Sequence, residues 1–237
     1  MKPFRDWTVL PHGNLERVDE NILSVTGDLR MPLGDTTRRM TVVRLASGDL
    51  VIYSAISLDD SEMLALEEMG RPAYLIVPST RHRMDAKIWK DRYPSIIVVA
   101  PPAARNKVAE IVQVDKTAVD FNDPNVKFQI VPGTDEAALI VQCNGGITLI
   151  VSDLVFNIAN QPGMQGFLSK LMGMTGDKPH LPKLVEMRAV KDRAALSAQL
   201  EEWAHLDNLK RIIVAHGSIV NDDPAMVLHA VAHELAL

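Results

Sequence analysis

Two apolar runs in this chain end on residues that can hold a metal ion or move a proton. Ile147–Val151 delivers Ser152-Asp153, and Arg211–Ala215 delivers His216 ahead of Gly217. A carboxylate or imidazole set down where a buried strand stops is fixed by the strand yet open to a cleft, so it can serve as a ligand or base. An aspartate with a histidine suits a borderline metal such as zinc, or iron or manganese where more oxygen ligands join. The plainer alternative is that Asp153 caps the segment after it and His216 makes a satisfied hydrogen bond at a glycine turn. Spacing alone leaves both open.

Other titratable residues carry weaker signals. His82 and Asp85 follow the apolar run Ala73–Val77, and the loop after a parallel strand is where α/β folds gather their ligands. Both are therefore placed to face the same cleft as Asp153. Asp85 is also the natural N-cap of the helix that follows, and that is its expected role. His82, between Arg81 and Arg83, reads equally well as solvent-exposed. His229 and His233 have i, i+4 spacing, but the glutamate follows the second histidine, unlike the helical zinc-protease pattern, and a solvated helix face is expected. His12, His180 and His205 are assigned no role. No Gly-x-Ser-x-Gly elbow, phosphate loop or Gly-x-Gly-x-x-Gly after a strand is present, so nucleophilic-serine and nucleotide-binding readings fall away.

The elements that must position these residues alternate in type. Ile22–Val25, Met40–Leu45 and Leu50–Tyr53 read as strands, the last two forming a hairpin through Ala46-Ser47-Gly48-Asp49. Leu29–Arg39, with Pro32 and Gly34, reads as a loop. Asp59-Asp60-Ser61 starts a helix that stops at Gly70. Ala73–Val77 and Ile96–Ala100 are continuous apolar runs suited to strands covered on both faces. Between them lie a polar turn, Ser79–Asp85, and a helix, Ala86–Tyr93, ended by Pro94; a further helix runs from Pro101-Pro102 through Ile111. Val126–Val131 is a strand closed by Pro132-Gly133. Ala138–Val141 and Ile147–Val151 form a hairpin around Asn144-Gly145-Gly146. Ile158–Leu181 is a glycine- and methionine-rich excursion in which Phe167, Leu168, Leu171 and Met172 have helical spacing; it reads as a core-covering insert or, more sharply, as a lid. A helix over Lys191–Leu206, the strand Arg211–Ala215 and a helix from Asp223-Pro224 to Leu235 complete the chain.

Composition bounds the function. At 237 residues, 47% hydrophobic and 23% charged, the chain has material for a sizeable core and is expected to form one domain over 1–237. A net charge of −5 with both signs spread along the chain offers no basic stripe, so nucleic acid is not an expected partner. Cys143 is the only cysteine, which excludes an internal disulfide and a cysteine-rich zinc site. No run reaches the ~18 apolar residues of a membrane span and no signal-peptide core is seen, so no membrane partner and a cytoplasmic location are expected.

Taken in order, these segments resemble the metallo-β-lactamase fold, an α/β (α+β) four-layer αββα sandwich. The Met40–Tyr53 hairpin resembles that family's opening strands, Val131-Pro132-Gly133-Thr134 its Pro-Gly-His-Thr turn, Ser152-Asp153 its Gly-Asp, and Ala215-His216-Gly217 its terminal His-Gly. The segments Pro78–Pro101, Ser152–Asn157 and Ala215–Gly217 are similar to a bacterial branch of the superfamily with a degenerate metal-binding motif. The resemblance puts the bridging aspartate on Asp153 and the last metal histidine on His216. Its His-x-His-x-Asp-His loop falls on Pro78–Arg83, with Pro78 and Thr80 at the first two histidine positions, His82 at the aspartate and Arg83 at the final histidine, while the turn histidine is replaced by Thr134 or deleted. What it implies is a hydrolase-like protein with a reduced, mononuclear site of Asp153, His216 and His82 for one zinc, iron or manganese ion. The alternative is a non-catalytic member of the fold that binds a small molecule or protein partner without metal. Arg81 and Arg83 beside the site are expected to disfavour a bound cation, or to replace its charge in holding an anion.

Overall fold

The computed structural model of the chain describes residues 2–29 and 36–237. In the first half, β1 (Glu16–Asp19), β2 (Ile22–Leu29), β3 (Thr36–Arg44) and β4 (Asp49–Tyr53) form an antiparallel run. Helix α1 (Asp60–Met69) then leads to β5 (Arg71–Ile76) and α2 (Ala86–Arg92) to β6 (Ile97–Val99), both strands added in parallel, and α3 (Arg105–Ala109) follows. In the second half β7 (Val126–Ile130), β8 (Ala137–Cys143) and β9 (Gly146–Ile150) are antiparallel neighbours. After β10 (Phe156–Asn157) come α4 (Gly163–Leu171), α5 (Lys183–Ala189) and α6 (Arg193–Ala204). Strand β11 (Leu209–Ile213) returns beside β9 in parallel, β12 (His216–Gly217) pairs with β10, and α7 (Pro224–Ala236) closes the chain.

Alternation along the strands builds the layers. In β4, Leu50 and Ile52 join Met63, Leu66 and Trp89 beneath α1 and α2, whereas Val51 and Tyr53 face the second sheet. In the second sheet Leu149 and Val151 lie with Leu200, Trp203 and Leu228 beneath α6 and α7, and Ile150 faces inwards. Removing each such side chain from water contributes roughly 1.5–3 kcal/mol. A one-residue slip would exchange the two faces, so this burial sets the register. The expected order of helices, sheet, sheet and helices is thus present. Among the described residues no helix is long and apolar enough to cross a membrane.

Several expectations need correction. Thr36–Arg39 is not loop: the β2–β3 ladder runs to Leu29↔Thr36, and only 30–35 of the expected loop fall outside the described residues. The helix expected from Pro101 to Ile111 contracts to α3, because the turn at Pro101 and Pro102 uses its carbonyls on Ala104 and Arg105. Helix α5 was not anticipated, its seven residues being too short for a clear period. In the glycine- and methionine-rich excursion a helix does form, with Met164, Phe167 and Leu171 of α4 exposed.

The Pro132-Gly133 turn fixes how α6 begins. Gly133 has φ of +73° and its carbonyl accepts from Lys191 N at 2.6 Å and Asp192 N at 3.1 Å, while Asp192 caps the helix through Ala195 N at 3.0 Å. A Cβ at 133 would lie 2.2 Å from the Asp192 carbonyl oxygen. Gly173 has a similar φ of +66° with nothing within 4 Å of its Cβ position. Gly133→Ala is therefore expected to cost about 2–3 kcal/mol and Gly173→Ala only about 1 kcal/mol. Urea midpoints of the two variants measure the difference; equal losses would show that contact with Asp192 contributes nothing.

Candidate metal centre

The site lies where the ends of both sheets meet, in a cavity of about 370 Å³ lined by Ser54, His82, Asp153 and His216 together with Phe156, Met174 and Val185. Asp153 follows β9 and is buried. Its Oδ1 lies 3.0 Å from His82 Nε2 and 3.2 Å from His216 Nε2. The three residues offer ligand atoms within 4.8 Å of one another. His82 is not the exposed residue that its arginine neighbours suggested: its side chain is 8% exposed.

Each imidazole is aimed from its far nitrogen. His216 Nδ1 is 2.6 Å from the Thr37 carbonyl oxygen, which can only accept, so Nδ1 carries a proton. In the neutral form of the ring this leaves the lone pair of Nε2 facing the Asp153 carboxylate. Two acceptors at that distance need a proton or a metal ion between them. His82 Nδ1 lies 2.7 Å from Ser54 Oγ, a hydroxyl that serves either tautomer. Ser54 has φ of +57°; the other described non-glycine residues with positive φ are Asn122, Asn208 and Asp223, types that tolerate this region better. The backbone conformation at the end of β4 thus carries strain at the residue that holds His82. Phe156 stacks on His216 with ring centroids 4.6 Å apart.

Arg81 occupies the other side of Asp153. Its Nε donates to Asp153 Oδ2 at 2.5 Å, one terminal nitrogen to Glu136 Oε1 at 2.5 Å and the other to Asp135 Oδ1 at 3.2 Å. The Asp153 amide donates to the second Glu136 oxygen at 3.1 Å. Burial and the charge of Asp153 push Glu136 up to about 8, against the pull of Arg81. Burial also opposes ionisation of Asp153, but the charge of His82 and hydrogen bonds from His216 and His82 hold it well below the usual carboxylate range. Three carboxyl groups thus face one guanidinium, and even with one of them protonated the surplus is negative.

The loop that presents His82 is fastened at nearly every residue. Thr80 donates to Asp135 through both N–H, at 3.2 Å, and Oγ1, at 2.5 Å, while Arg83 donates to the Lys107 carbonyl at 2.5 Å. Asp85 stands before α2 but makes no capping bond. Instead its buried carboxylate pairs with Arg38 and accepts from Ser57 N and Oγ, both at 3.0 Å. Thr134 closes its own turn: its hydroxyl donates to the Val131 carbonyl and accepts from Glu136 N, each at 3.0 Å. Behind His216, Arg39 donates to the carbonyls of Val214 and Gly217 at 3.0 and 2.7 Å, pinning the turn that bears the histidine.

Sequence reasoning placed Asp153, His216 and His82 in one cleft, and the structure brings all three together. It missed Ser54, Thr37, Arg39, Asp135 and Glu136. Of these only the Asp135-Glu136 pair, directly before a buried strand, left a signal, since two acids at such a place need a cation. Arg81→Met leaves the buried carboxylates without their partner and should lower stability by about 3 kcal/mol, the low end for a broken buried pair because the Arg81 side chain is 30% exposed. Arg81→Lys should restore little, since one ammonium cannot match a fork that reaches three carboxylates. Guanidinium denaturation of both variants tests this, and near-native midpoints would overturn it.

No family model matches the chain, and no curated protein matches it. Among solved structures, it is similar over 97% of its length to VMB-1, covering 100% of that chain at 12% identity with a TM-score of 0.65. The metallo-β-lactamase FIM-1 from Pseudomonas aeruginosa, in a mono-zinc form, matches over 97% of this chain and 98% of its own at 9% identity and a TM-score of 0.64. A metallo-β-lactamase from Erythrobacter litoralis matches over 93% and 96% respectively, at 13% identity and a TM-score of 0.60.

Proposed function

On the metallo-β-lactamase fold that this chain has, we propose a hydrolase with a single metal ion held by His82, Asp153 and His216. The observation that carries this reading is the pair of imidazole nitrogens converging on one carboxylate oxygen, with the proton of His216 already committed to the Thr37 carbonyl. Two nitrogens and an oxygen suit zinc, and also iron or manganese. When bound, such an ion supplies an acidified water, with a pKa near ~7, and a Lewis acid for a carbonyl or phosphoryl oxygen. Ser54 and Thr37 hold the two rings at their outer nitrogens, the support that keeps ligand geometry fixed. Arg81 anchors Asp153 by Oδ2, leaving Oδ1 for the ion. Phe156, Met174 and Val185 give the cavity an apolar wall that excludes water and accepts the uncharged part of a small substrate.

A second reading is favoured by Arg81 itself. A permanent cation already pairs with Asp153, and imidazole N–H groups on Oδ1 would complete a metal-free network. The cleft would then bind a small molecule or a protein partner without catalysis.

Metal analysis by mass spectrometry on protein purified without a histidine tag separates the two. The hydrolase reading expects one equivalent to be lost in both Asp153→Ala and His216→Ala, together with hydrolysis of an ester, lactone or phosphodiester panel. Ser54→Ala should keep the ion but bind it about 10–100-fold more weakly. Metal-free protein whose melting is unmoved by a chelator would sink the hydrolase and leave the binding module.

A further inference from the structure

We propose a second transition-metal site on the outer surface, formed by Glu201 and His205 of the α6 end and His229 of α7. These residues offer ligand atoms within 4.8 Å of one another. Glu201 and His205 are spaced i, i+4 across the last turn of α6 and its C-cap, the spacing that sets two ligands on one helix face. The third comes from the neighbouring helix. His205 Nδ1 lies 2.7 Å from the Glu201 carbonyl oxygen and must donate to it, which leaves Nε2 as a lone pair. His229 Nδ1 is 2.7 Å from Glu201 Oε2, so the proton shared there sits where a cation would replace it. The two rings stand nearly perpendicular, 88° apart, with centroids separated by 5.3 Å.

The helices that supply these ligands are already held rigidly. Leu196 and Leu200 of α6 pack in the same core as Leu228 and Val231 of α7, and Ser197 Oγ donates to the Ala232 carbonyl at 2.9 Å. Little ordering therefore remains to be done when an ion enters, and solvent is free to complete the coordination shell. Two imidazoles and one carboxylate select a borderline divalent ion, zinc above magnesium or calcium. Its effect is to fasten α6 to α7 across the layer that covers β9 and β11. The site shares no residue with His82, Asp153 and His216, so it stands or falls independently of them.

The test uses Zn²⁺ with the untagged 237-residue chain in five forms: unaltered, Asp153→Ala, His229→Ala, the double variant of these two, and Asp153→Ala combined with His205→Ala. Calorimetric titration of Asp153→Ala should still show one zinc bound, lost in the double variant and in Asp153→Ala combined with His205→Ala. At zinc 100-fold above its dissociation constant, Asp153→Ala should melt about 5–10 °C higher, and the double variant should not shift. Circular dichroism checks that the surface substitutions leave the fold intact. Absence of zinc binding to Asp153→Ala, or binding that survives loss of His205 and His229, would overturn the proposal. Metal loss in Asp153→Ala is read separately and bears only on the cleft.

Discussion

The organisation of the cleft depends on one buried anion. Asp153 sits where β9 stops, with Oδ1 shared by two imidazoles and Oδ2 taken by Arg81. A carboxylate in this position is costly unless each of its oxygens is satisfied. Satisfying them requires groups from widely separated parts of the chain, the loop after β5 and the turn after β11, while Glu136, just before β8, accepts from the Asp153 amide and from Arg81. The two sheets are thereby drawn together at their rim by polar bonds, just as Val51, Tyr53 and Ile150 draw them together by apolar contact deeper in.

Arg81 changes what this arrangement needs in order to be stable. A guanidinium never dissociates and its charge is independent of pH in the working range. It spans Asp153, Glu136 and Asp135 as a fixed counter-charge, so part of their charge is compensated with or without an ion. Metal affinity and folding are to that extent separated. An ion at this place would be held by Asp153 Oδ1 and two imidazoles whose outer nitrogens are already engaged.

The sheets and the long helices were legible because their patterns are local. Alternation in Leu50–Tyr53, the continuous runs around β5, β6 and β11, and the Asp-capped starts of α1, α6 and α7 each declare an element without reference to the rest of the molecule. Asp153 and His216 were legible as strand-end residues. What could not be read was decided by distant partners. Thr36–Arg39 carries polar residues suited to a loop, yet the ladder with β2 makes it a strand, and that strand supplies the Thr37 carbonyl and Arg39 that hold His216. Asp85 has the position of a cap, but a buried arginine 47 residues earlier claims its charge. Ser54 has no motif at all; its importance comes from a backbone angle and a neighbour 28 residues ahead.

The 158–181 excursion starts and finishes on one residue pair. Phe156 and His180 exchange backbone hydrogen bonds of 2.8 and 3.0 Å, and the Phe156 ring lies against His216, which β10 also meets edge to edge through β12. The base of the excursion is thus fastened to the His216 segment twice over, by backbone pairing and by a ring contact.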